Sequence, residues 1–285
     1  MDTMKCLIGG LPDTGKSTFL GALWYNLRNC STSISMKLQS DDNLPDDITL
    51  LEKFSDNWIK LVRFDRTNSN TSDLVEINLV EPNTEKRIKL GIPDFLGETF
   101  QDIIEGKRSS TLEKWCEEAD TLLYFIHDVS PGRFDDDFEK YDDDENTKQI
   151  DIPPFTASKM SEAAKNIMIL KYLSEMKKFK KVIIALSWWD VIIKGGGVPD
   201  NPIEYLRLNS PALYCNLCER FKHVDIIGVS AQGETYPEKG ASDDEILKFK
   251  QRMTKLTLSG ERAFVKKNND IFYDLSLPIY DLINA

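Results

Sequence analysis

Short apolar runs of strand length alternate with segments of helical periodicity along most of the chain. The runs that predict strands are residues 6–8, 74–80, 87–92, 121–126, 181–186 and 224–229. The segments that predict helices are residues 19–27, 111–118, 157–178 and 211–221. Near-continuous apolar strands that alternate with helices are typical of a mostly parallel sheet covered on both faces. The pattern therefore predicts an α/β fold of three layers, with helices on both faces of a central sheet.

Two of the predicted strands, 74–80 and 87–92, depart from this alternation. The residues between them, 81–86, are polar or turn-forming and include no helical pattern. Parallel neighbours need a crossover of about a dozen residues or more, so such a short link predicts an antiparallel hairpin. We place this hairpin at one edge of the otherwise parallel sheet.

Two further segments have apolar residues at helical spacing. The first predicts an amphipathic helix that begins at 45–47, with an apolar stripe of Ile48, Leu51, Phe54, Trp58 and Leu61. The second predicts a C-terminal helix whose apolar positions are Ile271, Leu275, Ile279, Leu282 and Ile283. We expect one domain over residues 1–285, with insertions at 30–72 and 129–156.

Composition and charge narrow the class of protein. The chain has 285 residues, of which 41% are hydrophobic, so it can bury a sizeable core. Its formal net charge of −11 disfavours nucleic acids and anionic membranes as partners. No apolar run reaches the roughly 18 residues of a membrane span, and no secretion signal is evident. With five scattered cysteines, which indicate a reducing compartment, we expect a cytoplasmic protein.

The segment after the first strand has the spacing of a phosphate-binding loop. Residues 10–18 fit the pattern G-x-x-x-x-G-K-[ST] between a strand and a helix. The glycines let several backbone N–H groups point at one anion, and the helix N-terminus adds partial positive charge. We expect Lys16 to reach the β- and γ-phosphates and Ser17 to bind Mg²⁺. The predicted nucleotide contacts of this loop are Gly10, Asp13, Thr14, Gly15, Lys16, Ser17 and Thr18.

Polar residues also come directly after three other predicted strands. Asp94 follows the hairpin and can hold Mg²⁺ directly or through water, while the N–H of Gly97 can reach a γ-phosphate oxygen. Residues 187–190 and 230–232 each follow an apolar strand. Ligands of parallel sheets bind beyond the carboxyl ends of the strands. We therefore expect these segments and the phosphate-binding loop to border one nucleotide site.

The motifs resemble those of the Ras-like GTPases of the translation-factor-related (TRAFAC) class. Asp94-Phe95-Leu96-Gly97 matches the D-x-x-G switch of that class. Ser187-Trp188-Trp189-Asp190 stands where the class has [NT]-K-x-D, and Ser230-Ala231-Gln232 stands where it has S-A-[KL]. The chain is most similar to the bacterial double-GTPase type that is associated with conflict and defence systems. This resemblance implies a P-loop NTPase fold, GTP as the ligand and Mg²⁺ as the cofactor.

Guanine is the base that these residues favour. It presents two adjacent donors, N1–H and the N2 amine, which the carboxylate of Asp190 can accept in parallel, whereas adenine presents an acceptor at N1. The turn at 230–232 can offer a backbone N–H to O6. Trp188 replaces the family's lysine and either stacks on the base or packs as a core or interface aromatic. The missing asparagine and lysine leave adenine as an alternative. The predicted base site comprises Ser187, Trp188, Asp190, Ser230, Ala231 and Gln232.

Hydrolysis requires a metal, a positioned water and charge compensation on the transferring phosphoryl group. The predicted Mg²⁺ ligands are Ser17, Asp94 and a switch threonine, which we assign to Thr67, with Thr71 and Thr49 as alternatives. Many Ras-like enzymes carry a water-orienting glutamine after D-x-x-G, whereas this chain has Glu98. A carboxylate is repelled by the γ-phosphate unless a cation intervenes, so we expect slow hydrolysis that a partner or self-association raises. The predicted catalytic residues are Lys16, Gly97, Glu98 and Thr67.

Three charged features near the predicted site have open interpretations. Asp13 stands where potassium-stimulated GTPases have an asparagine, so it either helps to bind K⁺ or contacts solvent. Arg66 is a candidate for the charge-compensating arginine. The acidic run at 135–151 is either a solvated loop or a docking surface for a basic partner.

Three functions are compatible with the sequence. The first is a GTPase switch or assembly module, whose output passes through the Thr67 region and Gly97-Glu98 to an effector or a second copy. The second is an ATPase or a kinase-like phosphotransferase; a kinase is disfavoured because the segment after residue 126 is acidic where a kinase lid needs arginines. The third is a scaffold that binds GTP without hydrolysing it, which Glu98 favours.

Overall fold

The computed structural model describes residues 2–29, 35–62, 74–93, 97–130, 160–196, 199–237 and 240–284. Within these residues the strands are β1 (Asp2–Gly10), β2 (Gln39–Ser40), β3 (Leu74–Glu81), β4 (Lys86–Pro93), β5 (Thr121–Ile126), β6 (Lys181–Ser187), β7 (Val224–Ser230), β8 (Phe264–Lys267) and β9 (Asp270–Phe272). The helices are α1 (Lys16–Arg28), α2 (Thr49–Lys60), α3 (Gly97–Ile104), α4 (Ser110–Glu118), α5 (Glu162–Met176), α6 (Trp189–Lys194), α7 (Pro202–Asn209), α8 (Pro211–Arg220), α9 (Asp243–Ser259) and α10 (Leu277–Ile283).

One sheet contains these strands in the order β2-β3-β4-β1-β5-β6-β7-β8-β9. The central pairs β4–β1, β1–β5, β5–β6 and β6–β7 are parallel, and β3–β4 is the predicted antiparallel hairpin. The predicted α/β class with a mostly parallel central sheet is therefore confirmed. The structure adds β2 beside the hairpin and a second antiparallel hairpin, β8–β9, at the opposite edge.

Side chains of alternate strand residues enter two separate apolar layers. In β1, Cys6 and Ile8 belong to the layer under α1, α2 and α10, while Leu7 belongs to the layer under α3 to α8. The same alternation holds in β5, where Leu123 faces the first layer and Tyr124 the second. Because both faces of the sheet are covered, the central parallel strands β5 and β6 are nearly continuous apolar runs, which explains why the sequence identified them.

The predicted C-terminal helix is wrong in its first half. Ile271 lies in β9, where it pairs with Lys266 of β8. The helix α10 begins at Leu277 and carries Pro278 in its first turn, where the missing N–H of proline costs no intrahelical hydrogen bond. The apolar spacing is continuous across a short strand and the helix after it, so it could not separate the two elements.

The first insertion holds the amphipathic helix that its apolar stripe predicted. This helix, α2, begins at Thr49 rather than at 45–47, since the Asp47 carboxylate accepts the N–H of Thr49 at 2.9 Å. The C-terminal part of the helical run predicted at 157–178 forms α5, which begins after Ser161, whose hydroxyl caps the N–H of Ala164. None of the helices within the described ranges is long and apolar enough to span a lipid bilayer.

Helices α1 and α2 pack closely against each other. Arg28 in the last turn of α1 forms an ion pair with Glu52 in the first turn of α2. Nearer the start of α1, Gly21 meets the backbone of α2, and a Cβ atom at this position would lie 2.5 Å from the carbonyl oxygen of Phe54. The absence of a side chain at Gly21 therefore sets the distance between the two helices.

Replacement of Gly21 by alanine is expected to lower the free energy of unfolding by about 1–2 kcal/mol. Overpacking costs about 1–3 kcal/mol, and a contact this close to a backbone atom belongs to the upper part of that range, at about 2–3 kcal/mol, of which the better helix propensity of alanine returns about 1 kcal/mol. The obstacle is a backbone carbonyl, which moves only if α2 moves. Urea denaturation measures the change. A Gly21→Ala variant as stable as the parent protein would contradict this account of the helix contact.

Gly195→Ala is the matched control for this substitution. Gly195 ends α6 with an ordinary helical φ of −62°, and a Cβ atom there would lie 3.4 Å from the Ile192 carbonyl oxygen. Because alanine fits both the backbone and the space, the variant is expected to be as stable as the parent protein.

Candidate functional site

The loop between β1 and α1 contains two glycines with positive φ angles. Gly10 has a φ of 143°, and a Cβ atom there would lie 2.6 Å from the carbonyl oxygen of Phe125. Gly15 precedes α1 with a φ of 86°, a conformation that glycine adopts without strain. Among the described residues, no side chain caps this helix start, and its first turn has no acidic residue. The helix N-terminus is therefore suited to a negatively charged ligand.

The ammonium group of Lys16 lies inside the curve of this loop. It donates hydrogen bonds of 2.8 Å to the carbonyl oxygens of both Gly10 and Leu11. The Thr14 hydroxyl donates to the Leu11 carbonyl as well, also at 2.8 Å. These bonds fix a positive charge at the centre of the loop, where it can attract a phosphate group. Ser17 and Thr18 are the next residues, in the first turn of α1, and both are half-buried.

The sheet brings the strands that carry the predicted motifs side by side. Gly10 at the end of β1 pairs with Phe125 of β5, which in turn pairs with Ala185 of β6. Two residues further along, β6 and β7 still pair through Ser187 and Val229. A Cβ atom on Gly15 would lie 3.9 Å from the Cβ of Ser187, so the phosphate-binding loop adjoins the segment 187–190. The strand β4, which Asp94 follows, is the parallel neighbour of β1 on the other side.

Asp190 and Ser230 join the two predicted base-binding segments. The Ser230 hydroxyl donates to Oδ1 of Asp190 at 2.8 Å and accepts the N–H of Gly233 at 3.2 Å. Asp190 is 5% exposed and Ser230 is fully buried. A carboxylate accepts about four hydrogen bonds, so the bond from Ser230 leaves acceptor capacity for a ligand.

The two neighbouring tryptophans of this segment have different environments. Trp189 is fully buried, lies edge-on to Tyr205 with ring centroids 5.5 Å apart, and packs directly on Gly228. Trp188 is 45% exposed and has a left-handed φ of 58°. Trp188 is thus not a core residue, and its stacking on a base stays a prediction.

The imidazole of His127, which the sequence did not single out, contacts Trp188. The ring centroids are 4.2 Å apart at an interplanar angle of 49°. Burial lowers the pKa of His127, although the negative charges of Asp128, Glu162 and Asp13 oppose that shift. A neutral imidazole is therefore the form that packs on the indole at neutral pH. In the sequence, only its position directly after the predicted strand 121–126 could have indicated that His127 lies near the site.

Two further side chains that the sequence did not assign to the site hold the turn at 230–232. Trp58 of α2 donates from Nε1 to the Ala231 carbonyl at 2.7 Å, and Arg262 donates from Nε to the Gln232 carbonyl at 3.2 Å. The Arg262 guanidinium also lies 3.7 Å above the Trp58 ring. Burial lowers the pKa of Arg262 to about 10, so it stays charged at neutral pH. The side-chain amide atoms of Gln232 are buried and have no hydrogen-bond partner among the described residues.

Several predicted catalytic and metal-binding residues lie outside the described residues. These are Arg66, Thr67, Thr71 and Asp94, together with the acidic run at 135–151. Gly97 and Glu98 begin α3. Thr49, an alternative for the switch threonine, begins α2 at the end where Glu52 meets Arg28. Its role as an alternative Mg²⁺ ligand stays a prediction.

The model of the family Double-GTPase 1 matches residues 7–282. A comparison with curated protein sequences found no match. Among solved structures, the chain is similar to the bacterial selenocysteine-specific elongation factor EF-Sec, with 14% sequence identity and a TM-score of 0.36. That alignment covers 91% of this chain and 29% of the EF-Sec chain, so this chain spans less than a third of the length of that protein.

Proposed function

Because the chain belongs to the Double-GTPase 1 family and is a GTP-binding protein, we propose that it is a Mg²⁺-dependent GTPase with slow intrinsic turnover. The observation that carries this proposal is the close approach of the phosphate-binding loop to the base-binding segments. Gly15 adjoins Ser187, and Asp190 is hydrogen-bonded to Ser230. One nucleotide can therefore contact both regions at the same edge of the sheet.

Guanine is proposed as the base that Asp190 recognises. Its carboxylate accepts N1–H and the N2 amine, and both bonds are strong because the group is buried. A backbone N–H of the turn at 230–232 donates to O6, and Trp188 stacks on the base from the exposed side. Adenine would place its N1 acceptor against the carboxylate, which disfavours it.

Lys16 binds the β- and γ-phosphates from the centre of the loop, and Ser17 holds Mg²⁺ with Asp94 and Thr67 in this proposal. When bound, Mg²⁺ neutralises charge that develops on the phosphate oxygens. The N–H of Gly97 contacts the γ-phosphate, and Glu98 stands in the position that orients water. Hydrolysis is slow because a carboxylate positions water beside a phosphate less well than an amide does.

The proposed role is that of a cytoplasmic, nucleotide-controlled switch or assembly module in bacterial defence. The γ-phosphate orders the region of Thr67 and the start of α3 at Gly97, and these surfaces bind an effector or a second copy of the chain. Neither nucleic acid nor a membrane is a proposed partner. K⁺ beside Asp13 is an additional proposed cofactor, which would make the rate in KCl higher than the rate in NaCl.

Single-turnover release of phosphate from GTP is the test of this proposal. With Mg²⁺, the protein alone is expected to release phosphate at about 10⁻⁴ to 10⁻² s⁻¹, the range of GTPases without an activating partner. EDTA is the control and is expected to stop release. A rate of several turnovers per second would contradict slow intrinsic hydrolysis. Absence of release while GTP stays bound would favour the scaffold, and transfer of the label to an acceptor other than water would favour the phosphotransferase.

A further inference from the structure

The turn at 230–232 is held from one side by side chains of two distant elements. Trp58 comes from α2, in the insertion after α1, and Arg262 lies between α9 and β8. Trp58 binds the Ala231 carbonyl, and Arg262 binds the Gln232 carbonyl. Since the guanidinium of Arg262 stacks on the Trp58 ring, both anchors lie on the same side of the turn.

This anchoring determines where the N–H groups of the turn point. In a trans peptide the C=O and the N–H point in opposite directions, and no cis peptide is present among the described residues. The Trp58 bond therefore directs the Gln232 N–H away from α2. The Arg262 bond likewise directs the Gly233 N–H away from Arg262, and that N–H meets the Ser230 hydroxyl, which is bound to Asp190. The free side of the turn is thus the side of the base-recognising carboxylate.

The burial and the hydrogen bonds of Arg262 allow it to hold the turn at 230–232 in one orientation. It is 2% exposed, yet no carboxylate within the described ranges forms an ion pair with it. Its donors instead go to neutral oxygens. Nη2 binds the Trp58 carbonyl at 2.9 Å in addition to the bond at Gln232, and Nη1 binds the Thr257 hydroxyl at 3.4 Å. Gly233 packs so closely that a Cβ atom there would lie 2.4 Å from the Arg262 carbonyl oxygen. A buried cation that satisfies backbone carbonyls fixes their orientation firmly.

We propose that Trp58 and Arg262 are positioning residues for guanine recognition, which hold the turn at 230–232 so that the backbone N–H of Gln232 donates to O6. This inference rests on the proposed function, because it assumes that Asp190 and the turn bind guanine. Neither residue touches the base. Both act through the carbonyl groups of the turn, and Trp58 does so from an element whose sequence pattern indicated only a packing role.

The test measures how much a substitution at Trp58 lowers the affinity for each of two nucleotides that differ only in the atom at position 6 of the base. Trp58→Phe keeps a ring for Arg262 to stack on but removes the Nε1–H donor. The two nucleotides are GTP and 6-thio-GTP, in which a weakly accepting sulfur replaces O6 while the donors for Asp190 remain. The variant is expected to bind GTP about fivefold more weakly and 6-thio-GTP less than twofold more weakly, because a misdirected N–H costs about one hydrogen bond.

Tyr236→Phe is the matched control. The Tyr236 hydroxyl donates to the Val62 carbonyl just after α2, so this variant also deletes one donor near the turn but leaves the turn carbonyls bound. It is expected to bind both nucleotides as the parent protein does. If Trp58→Phe does not fold in urea titrations, Arg262→Lys replaces it, since lysine keeps the charge but loses the planar set of donors.

Three results would count against the inference. Equal losses of affinity for GTP and 6-thio-GTP would show that Trp58 supports the fold without orienting the turn. A parent protein that binds ATP as tightly as GTP would overturn guanine recognition itself, and this inference with it. A GTP-selective parent protein with an unchanged Trp58→Phe variant would leave the proposed function intact and remove the positioning role.

Discussion

Lys16→Ala is expected to weaken GTP binding by at least about 100-fold. The substitution removes the ammonium group that attracts the phosphates, and it leaves carbonyl oxygens that repel them. The ammonium group donates to the carbonyl oxygens of Gly10 and Leu11. Without it, the phosphates lose a charge-assisted hydrogen bond of about 1.5–3 kcal/mol, and the carbonyl oxygens of the loop face the phosphates with no cation between them. The measurement is an equilibrium titration with fluorescent GTP in the presence of Mg²⁺.

Lys248→Ala is the control for this loss of charge. Lys248 is exposed on α9 and forms an ion pair with Asp244 one turn earlier, so its removal changes the net charge equally and touches no predicted site residue. It is expected to leave GTP affinity unchanged. Near-normal GTP binding by Lys16→Ala would mean that the loop is not where the phosphates bind.

Asp190→Asn is expected to exchange guanine preference for xanthine preference. The amide oxygen of asparagine can still accept the Ser230 hydroxyl, so the substitution keeps the buried bond that the carboxylate makes at 2.8 Å. Its amide NH₂ faces the N2 amine of guanine as a second donor but pairs with the C2 carbonyl of xanthine. GTP affinity is expected to fall by about 100-fold or more, since a mismatched buried donor is strongly rejected. Competition titrations with GTP, XTP and ATP measure the change.

Asp244→Asn is the control for the altered charge, since Asp244 is exposed on α9. It is expected to keep the nucleotide preference of the parent protein. If Asp190→Asn still preferred GTP over XTP, Asp190 would not contact the base. If the parent protein bound ATP and GTP equally, the adenine alternative would be favoured.

The fold was predictable from the sequence wherever strands are buried on both faces. In β5, β6 and most of β7 nearly every position is apolar or small. The family match over residues 7–282 confirms the resemblance to the double-GTPase type that the motifs suggested. The hairpin β8–β9 escaped prediction because it carries buried charge. Lys266 is 2% exposed in β8 and pairs with Asp200 at 2.6 Å, so a charge interrupts the apolar pattern at a buried position, while the three residues of β9 are exposed.

The candidate site was predictable only where its residues are consecutive. The phosphate-binding loop and the segments 187–190 and 230–232 each lie within a few residues, so their spacing carries the chemistry. Trp58 and Ala231 are 173 residues apart, and no local pattern connects them. The apolar stripe of α2 correctly predicted that Trp58 is buried. It contained no information about the indole N–H, because that role depends on the tertiary arrangement alone.

The close contact between α1 and α2 has a consequence for the length of the chain in this region. Phe54 meets Gly21, and one helical turn later Trp58 reaches the Ala231 carbonyl. Each residue added to a helix rotates the residues after it by about 100° and shifts them by about 1.5 Å. An insertion or deletion between positions 54 and 58 would thus turn the indole away from its acceptor. The rotation of α2 about its axis is fixed by both contacts. Insertions and deletions in this region must therefore lie before position 54 or after position 58.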